Sequence, residues 1–558
     1  MRTLYQKVKA RLVLSLTILL LSFSSLVHAN AMTFQDEASE VILKSLQDQP
    51  QHIFLNQLYR QVLFMPIWMH EKGLSPVAEA LFQYVKQEGT LERNGPILQS
   101  ALALEQQAKH LYLAPVSLLQ KMHLEFKISQ LYKGFTDYAY FGSINWGAFQ
   151  ARIENLKVND VKTEWVLHRP QVNPSVLVER AMLGESLGTL LQNAQPTAYH
   201  YRALQKALKN YMQIQKRGGW AHLQLFTKLT LGTHADEVET LRERLLMTKD
   251  YQVCQDIPVE EGIYGHCLER GVKSFQARHG LSSDGVVGVG TRKELNKSVA
   301  SAIQKIRLNL DRIKWLAKRK GNRHIIVNIP DFQLYFEENG EMIQTMRVVT
   351  GKPNHPTPIF SDLVEYIVLN PYWNVPKSII QKEFIPKLLR NPYAMKRKGI
   401  EIRRGWGKNA TLVDPASVAW ENYGVGRAMP FHFAQVPGRR NALGKVKFLF
   451  PNKFAVYMHD TPSKSLFKRT KRAFSHGCIR LQKPRELLRT FSTFNSNIDF
   501  ESAQKQLKGK RKKSITLKEK VPVDVVYLTA WIDYKGVLQF RDDVYHYDAM
   551  QLKSFRHW

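Results

Sequence analysis

The sequence predicts a multidomain α+β protein, and three observations carry that expectation. Its 558 residues are too many for one hydrophobic core, so two to four domains are expected. Apolar residues recur mostly at helical spacing between residues 32 and 250. From about residue 323 the period changes to the alternation of strands, which places a mainly antiparallel sheet in the C-terminal half.

The N-terminus reads as a secretory signal peptide over residues 1–29. "MRTLYQKVKAR" is a basic leader, and "LVLSLTILLLSFSSLV" is an apolar core shorter than the roughly 20 residues of a membrane span. Val27 and Ala29 fit a small-x-small cleavage pattern, with Ala29 and Ala31 as a second choice and an uncleaved anchor as the alternative. The expected destination is the periplasm. A net charge of +32 implies attraction to polyanions. Export argues against nucleic acid and leaves acidic lipids or the carboxylate-bearing polymers of a cell envelope. The most basic run, "KQLKGKRKK" at 505–513, has no interleaved aromatics to stack bases; it reads as a solvated loop or a polymer contact.

The segment 32–250 is expected to be an α-helical scaffold domain. Leu204, Leu208 and Tyr211 share a helical face, and Gly218-Gly219 supplies the stop. Residues 251–300 form a compact unit. A helix carrying Val272 and Phe275 runs to His279-Gly280, Asp284-Gly285 makes a turn, and Thr291 is positioned to cap a second helix. The order "FQ..HGL..DGVVG..T...L" resembles the peptidoglycan-binding domain family, which implies glycan as a partner. Cys254 and Cys267, 13 positions apart, can close a small loop in an oxidising compartment, and a disulfide between them is expected.

The third and last cysteine is Cys478. Residues 323–545 are expected to be one sheet-rich domain. Leu334 and Phe336 alternate before Asn339-Gly340, a strong hairpin signal, and "DVVYLTAWIDYKGVLQF" repeats the pattern around Lys535-Gly536. Helix-like spacing, prolines and many cations between about 374 and 446 predict a helical insertion packed over that sheet. Cys478 stands in "AFSHGCIRL". A thiol needs a base to attack at neutral pH, and two histidines qualify: His459, 19 residues upstream, and His476, two residues before the thiol. Gly477 lets the backbone approach a substrate and aim its N–H, with that of Cys478, at an oxyanion. His459, Asp460, His476 and Cys478 are also a loose ligand set for a metal, without Cys-x-x-Cys or His-x-x-x-His spacing to support it.

The ordered motifs "VNIPDFQLYF", "TGKPNHPTPIFSD", "LNPYWNVPKSI", "PGRRNALGKVKFLFPN", "YMHDTPSKSLF", "RAFSHGCIRL" and "LQFRDD" resemble the L,D-transpeptidases of bacterial cell walls, in particular their large periplasmic subgroup. That resemblance implies a catalytic β-sandwich, a capping insertion, a wall-binding module and a helical scaffold. It assigns Cys478 as nucleophile and His459 as principal base, with amides around Gly477 and Cys478 and the hydroxyl of Tyr457 at the oxyanion. His476 would orient or tune the thiol. Ser475, Arg480, Trp373 and Asn374, inside the matched motifs, are expected to meet substrate. Many relatives have Asn where this chain has Arg480, and the cation suits either a stem-peptide carboxylate or a structural ion pair.

The implied reaction cleaves the bond between meso-diaminopimelate and D-alanine in a tetrapeptide stem through a thioester. An amine of a second stem then forms a 3,3 cross-link. Hydrolysis to a trimmed stem and attachment of a wall-anchored lipoprotein are the alternative outcomes; an inert wall-binding scaffold is the alternative outside enzymology. The reaction calls for no metal or organic cofactor. The implied partners are peptidoglycan stem peptides, carbapenem-type inhibitors and other cell-wall synthesis proteins.

Overall fold

A computed structural model of the chain describes residues 33–47, 51–111, 116–155, 164–168, 172–224, 228–254, 261–316, 321–405 and 407–555. The expected signal peptide lies outside them. Among the described residues, no helix is long and apolar enough to cross a membrane. The chain groups into two compact units, one of Met1–Val85, Gln99–Lys133 and Asn173–Leu190, the other of Lys86–Leu98, Gly134–Val172 and Leu191–Trp558.

The first unit is helical, as the spacing predicts. Its polar centre is Glu125, fully buried, which accepts hydrogen bonds from the Tyr59 hydroxyl and from the backbone N–H groups of Ile67, Trp68 and Met69. Those bonds satisfy a loop that would otherwise bury unpaired amides.

In the second unit, the helix Tyr201–Lys216 buries Leu204, Leu208 and Tyr211 against Ile303, Ile306 and Leu310 of the helix Val299–Lys314. The small module holds the helices Glu237–Met247, His266–Arg278 and Val289–Leu295 around Val272 and Phe275. Cys254 and Cys267 are bonded to each other. Thr291 is not a cap. The helix starts at Gly288, and Thr291 lies inside it, buried, donating to the Val286 carbonyl and accepting from Gln276. A hydroxyl with partners in the core has no need of the helix terminus.

The sheet-rich part begins with β1 (Arg323–Asn328), β2 (Gln333–Glu338), β3 (Glu341–Gly351) and β4 (Phe360–Leu369). Asn339 and Gly340 both take positive φ, 52° and 85°, as a tight two-residue hairpin requires. The insertion contributes β5 (Trp373–Asn374), β6 (Ile400–Arg404), β7 (Thr411–Leu412) and β8 (Phe431–Gln435). The chain then returns through β9 (Val446–Leu449), β10 (Met458–His459), β11 (Ala473–Ser475), β12 (Ile479–Leu481) and β13 (Lys513–Val526). It ends with the hairpin β14 (Ala530–Ile532) and β15 (Leu538–Phe540).

Nine strands form one sheet in the order β11-β3-β12-β10-β9-β4-β13-β1-β2. Its pairs are mostly antiparallel; β1–β13, β10–β12 and β11–β3 are parallel. The expected sandwich of two facing sheets is replaced by a barrel-like closure. β3 is 11 residues long, so its first part pairs with β2 and its last part with β12 and β11, which joins the two ends of the sheet. The interior is filled by Val327, Leu334, Phe336, Val348, Phe448, Met458, Ile479 and Val523, and closed by Leu487, Leu488 and Phe491 of the helix Pro484–Phe494.

The insertion differs from its helical expectation too. It has a short helical stretch over residues 377–388, but its centre is a four-stranded sheet, β5-β8-β6-β7, with its own core of Phe384, Leu388, Ile402, Trp420 and Phe433. Pro386 cannot donate a backbone hydrogen bond, and the helix widens into a π turn over Ile380–Phe384 just before it. Leu369 pairs with Val446, so the insertion leaves and rejoins the barrel at neighbouring positions.

Candidate active site

Strand register gathers the candidate residues. In β10, His459 lies opposite Lys447 of β9 on one side and Arg480 of β12 on the other. Paired residues share a face of the sheet, and so do residues two apart on one strand. Tyr457 and His459 therefore point the same way, with their rings edge to face at 5.6 Å. Cys478 precedes β12 and Arg480 lies within it, on that same face. Met458 and Ile479, between them, turn inward to the core.

Cys478 is free and half-buried. Its sulfur is 3.9 Å from the Ala455 carbonyl oxygen. Burial pushes the thiol above its ordinary value; hydrogen bonds from the backbone and hydroxyl of Tyr457, and the Lys447 and Arg480 charges, work in the other direction. Tyr457 is itself raised, first by burial and then by its place beside Cys478.

His459 is buried, and its Nδ1 lies 2.5 Å from the Asp460 carbonyl oxygen. A carbonyl can only accept, so Nδ1 carries the proton and Nε2 keeps a lone pair. Burial holds this imidazole down at about 3, helped by the flanking Arg480 and Lys447. It is a neutral base throughout the physiological range. Among the described residues no hydrogen bond joins His459 to Cys478.

The turn before the thiol is tied down. Gly477 has φ +110°, a region side chains avoid. Its carbonyl accepts from Thr357 Oγ1 at 2.8 Å, and its N–H donates to Ser475 Oγ at 3.2 Å. Ser475 Oγ in turn donates to the Cys478 carbonyl at 2.6 Å. The Gly477 amide is engaged, so of the two amides expected to face an oxyanion only that of Cys478 has no partner among the described residues. Ser475 is buried and staples the turn.

His476 turns away from the thiol. Its Nε2 is 2.9 Å from Glu383 Oε1, in the π turn of the insertion, and its ring is 4.9 Å from that of His355. Burial lowers its pKa, opposed by Glu383. Trp373 and Asn374 make no hydrogen bond to the cysteine among the described residues. They form β5 of the insertion, where Trp373 meets Phe384 edge to face. No three His, Cys, Asp or Glu side chains converge as a metal site among the described residues.

Sequence reasoning missed Lys447, Glu383 and Thr357. Lys447 sits in "GKVKFLF", where alternation alone puts it on the face of Leu449; only the β9–β10 register puts it beside His459. Its ammonium lies 3.6 Å from the centre of the Tyr457 ring and is lowered to about 8, chiefly by burial.

Residues 322–507 match the family described as "L,D-transpeptidase catalytic domain", 54–208 match "Scaffold domain" and 234–295 match "Putative peptidoglycan binding domain". The chain is 31% identical over 262 residues to a Haemophilus influenzae protein named "Putative L,D-transpeptidase", covering 47% of this chain and 50% of that one. It thus spans about half the length of that curated relative. An L,D-transpeptidase from Stackebrandtia nassauensis is 14% identical, covers 53% of this chain and 94% of its own, and superposes with a TM-score of 0.22. One from Mycobacterium smegmatis is 13% identical, covers 37% and 58%, and scores 0.17. The stretch that matches the L,D-transpeptidase catalytic domain, 322–507, contains both Cys478 and His459.

Proposed function

We propose that the chain is a peptidoglycan L,D-transpeptidase that forms 3,3 cross-links through a thioester on Cys478. The observation that carries this reading is the shared face of Tyr457, His459 and Cys478, with the lone pair of His459 left on Nε2. Because burial raises the thiol and depresses the imidazole, a preformed thiolate–imidazolium pair is disfavoured in the resting site. His459 therefore takes the proton as sulfur attacks, and substrate closes the gap between them. The carbonyl carbon between diaminopimelate and D-alanine gains the sulfur. Its oxygen, now charged, meets the Cys478 N–H and the Tyr457 hydroxyl. The tetrahedral adduct collapses, and D-alanine leaves with the proton held by His459. An acceptor amine, relieved of a proton by His459, attacks the thioester and frees the thiol.

Water would resolve the same thioester, so transfer needs a cover over the site. The insertion is suited to that role, since Glu383 reaches the residue before Gly477. The leader expected at 1–29 supports action in the periplasm, and the match at 234–295 supports wall binding.

The test is intact mass after exposure to a carbapenem, whose strained carbonyl accepts the same attack. One adduct should form on the parent chain and none on Cys478→Ala. His459→Ala should slow acylation far more than His476→Ala. An adduct on Cys478→Ala, or the opposite ranking of the histidines, would overturn the assignment.

A further inference from the structure

Lys447 and Arg480 flank His459 in one row across three neighbouring strands. Adjacent strands lie about 4.8 Å apart, so the two backbones are roughly 10 Å apart with the base between them. Both side chains are long enough to lean over that gap, and both charges act on the sulfur of Cys478. Both charges also act on His459, so they flank the base and the sulfur together.

Neither cation has a carboxylate or other hydrogen-bond partner among the described residues. Lys447 has the face of Tyr457, a cation–π contact, and both side chains are half-buried. Elsewhere in this unit buried cations have partners: Arg278 has Asp250 at 2.5 Å, Arg312 has Asp548 at 2.7 Å and Arg541 has Asp331 at 2.6 Å, while Arg472 and Arg244 donate to carbonyl or hydroxyl oxygens. Unpaired charge kept out of water is costly unless a ligand supplies the counter-charge.

We propose that Lys447 and Arg480 form a clamp for the terminal α-carboxylate of the residue that leaves the donor peptide. This rests on the reaction proposed above. That carboxylate is separated from the scissile carbonyl carbon by one nitrogen and one α-carbon, so it must lie within a few ångströms of the sulfur, in the field of both cations. A donor extended by one residue carries its carboxylate beyond their reach. The clamp therefore selects the tetrapeptide stem, and it does so without a charged partner on the base, which stays neutral.

The experiment uses the full chain and two donors, a disaccharide-tetrapeptide with a free terminal carboxylate and the same compound as its carboxamide. The quantity read is the ratio of kcat/KM for acid over amide, measured in the parent, in Lys447→Met and in Arg480→Gln. A ratio taken within each variant cancels any change in thiol reactivity. The parent should prefer the acid by at least about 30-fold, roughly 2 kcal/mol at ~1.4 kcal/mol per tenfold, and each variant should bring the ratio within about 5-fold of unity. Variants that lose turnover but keep the parent's ratio show that the cations serve the sulfur alone, which overturns the clamp. A parent that turns over neither donor removes the underlying reading and the clamp with it.

Discussion

Ser475→Ala is expected to cripple acylation of Cys478 without touching the reacting atoms. The hydroxyl accepts from the Gly477 N–H at 3.2 Å and donates to the Cys478 carbonyl at 2.6 Å, and the side chain is 2% exposed. Water cannot readily replace it. Two lost hydrogen bonds at about 1 kcal/mol each give roughly 2 kcal/mol, the lower end for buried groups left unpaired. Both bonds lie within the turn that presents the thiol, so the loss falls on the population of the competent turn. Two kcal/mol corresponds to about a 30-fold lower acylation rate. The same loss should lower Tm by about 4–8 °C for a domain of this size. The assay is the rate of carbapenem adduct formation by intact mass, beside a thermal melt. A Tm drop with an acylation rate within about 3-fold of the parent would refute the idea that Ser475 positions the thiol.

Three further outcomes are expected. Glu383→Gln cuts the link from the insertion to His476; the exposed pair is worth at most about 1 kcal/mol, so Tm should hardly move while the ratio of cross-linked dimer to trimmed stem falls. An unchanged ratio would detach the insertion from the choice between amine and water. Carbapenem acylation should stay level from pH 6 to pH 8, because the raised thiol keeps its proton there and His459, held near 3, is already the neutral base at pH 6. A rate limb titrating near 6.5 would show that the base is not the depressed imidazole described here. Replacing both Cys254 and Cys267 by serine should destabilise the small module by about 3 kcal/mol, the loop-closure value for a separation of this length, read as an earlier melt of that module; a melt unchanged by the double substitution would contradict it.

Local chemistry was legible in the sequence wherever it acts alone. Asn339-Gly340 specified its hairpin, Leu204, Leu208 and Tyr211 specified a buried helical face, and the cysteine spacing anticipated the Cys254–Cys267 bond. What depends on pairing between distant strands was not legible. Barrel-like closure follows from the two successive pairings of β3, and neither can be read from its own residues. The same limit hid Lys447, which sits beside His459 by register alone. The hydrogen bonds of Ser475 and the Gly477 amide were not legible either, because they are made within a turn whose geometry the sequence does not state.

The central claim is that this chain moves an acyl group from one stem to another through Cys478. The most direct measurement is product analysis of the purified chain with disaccharide-tetrapeptide. The account predicts release of D-alanine, a 3,3-linked dimer as the main product, and a mass adduct on Cys478 equal to the donor lacking D-alanine when the acceptor amine is blocked. Release of D-alanine and dimer formation by Cys478→Ala at the parent's rate would contradict it.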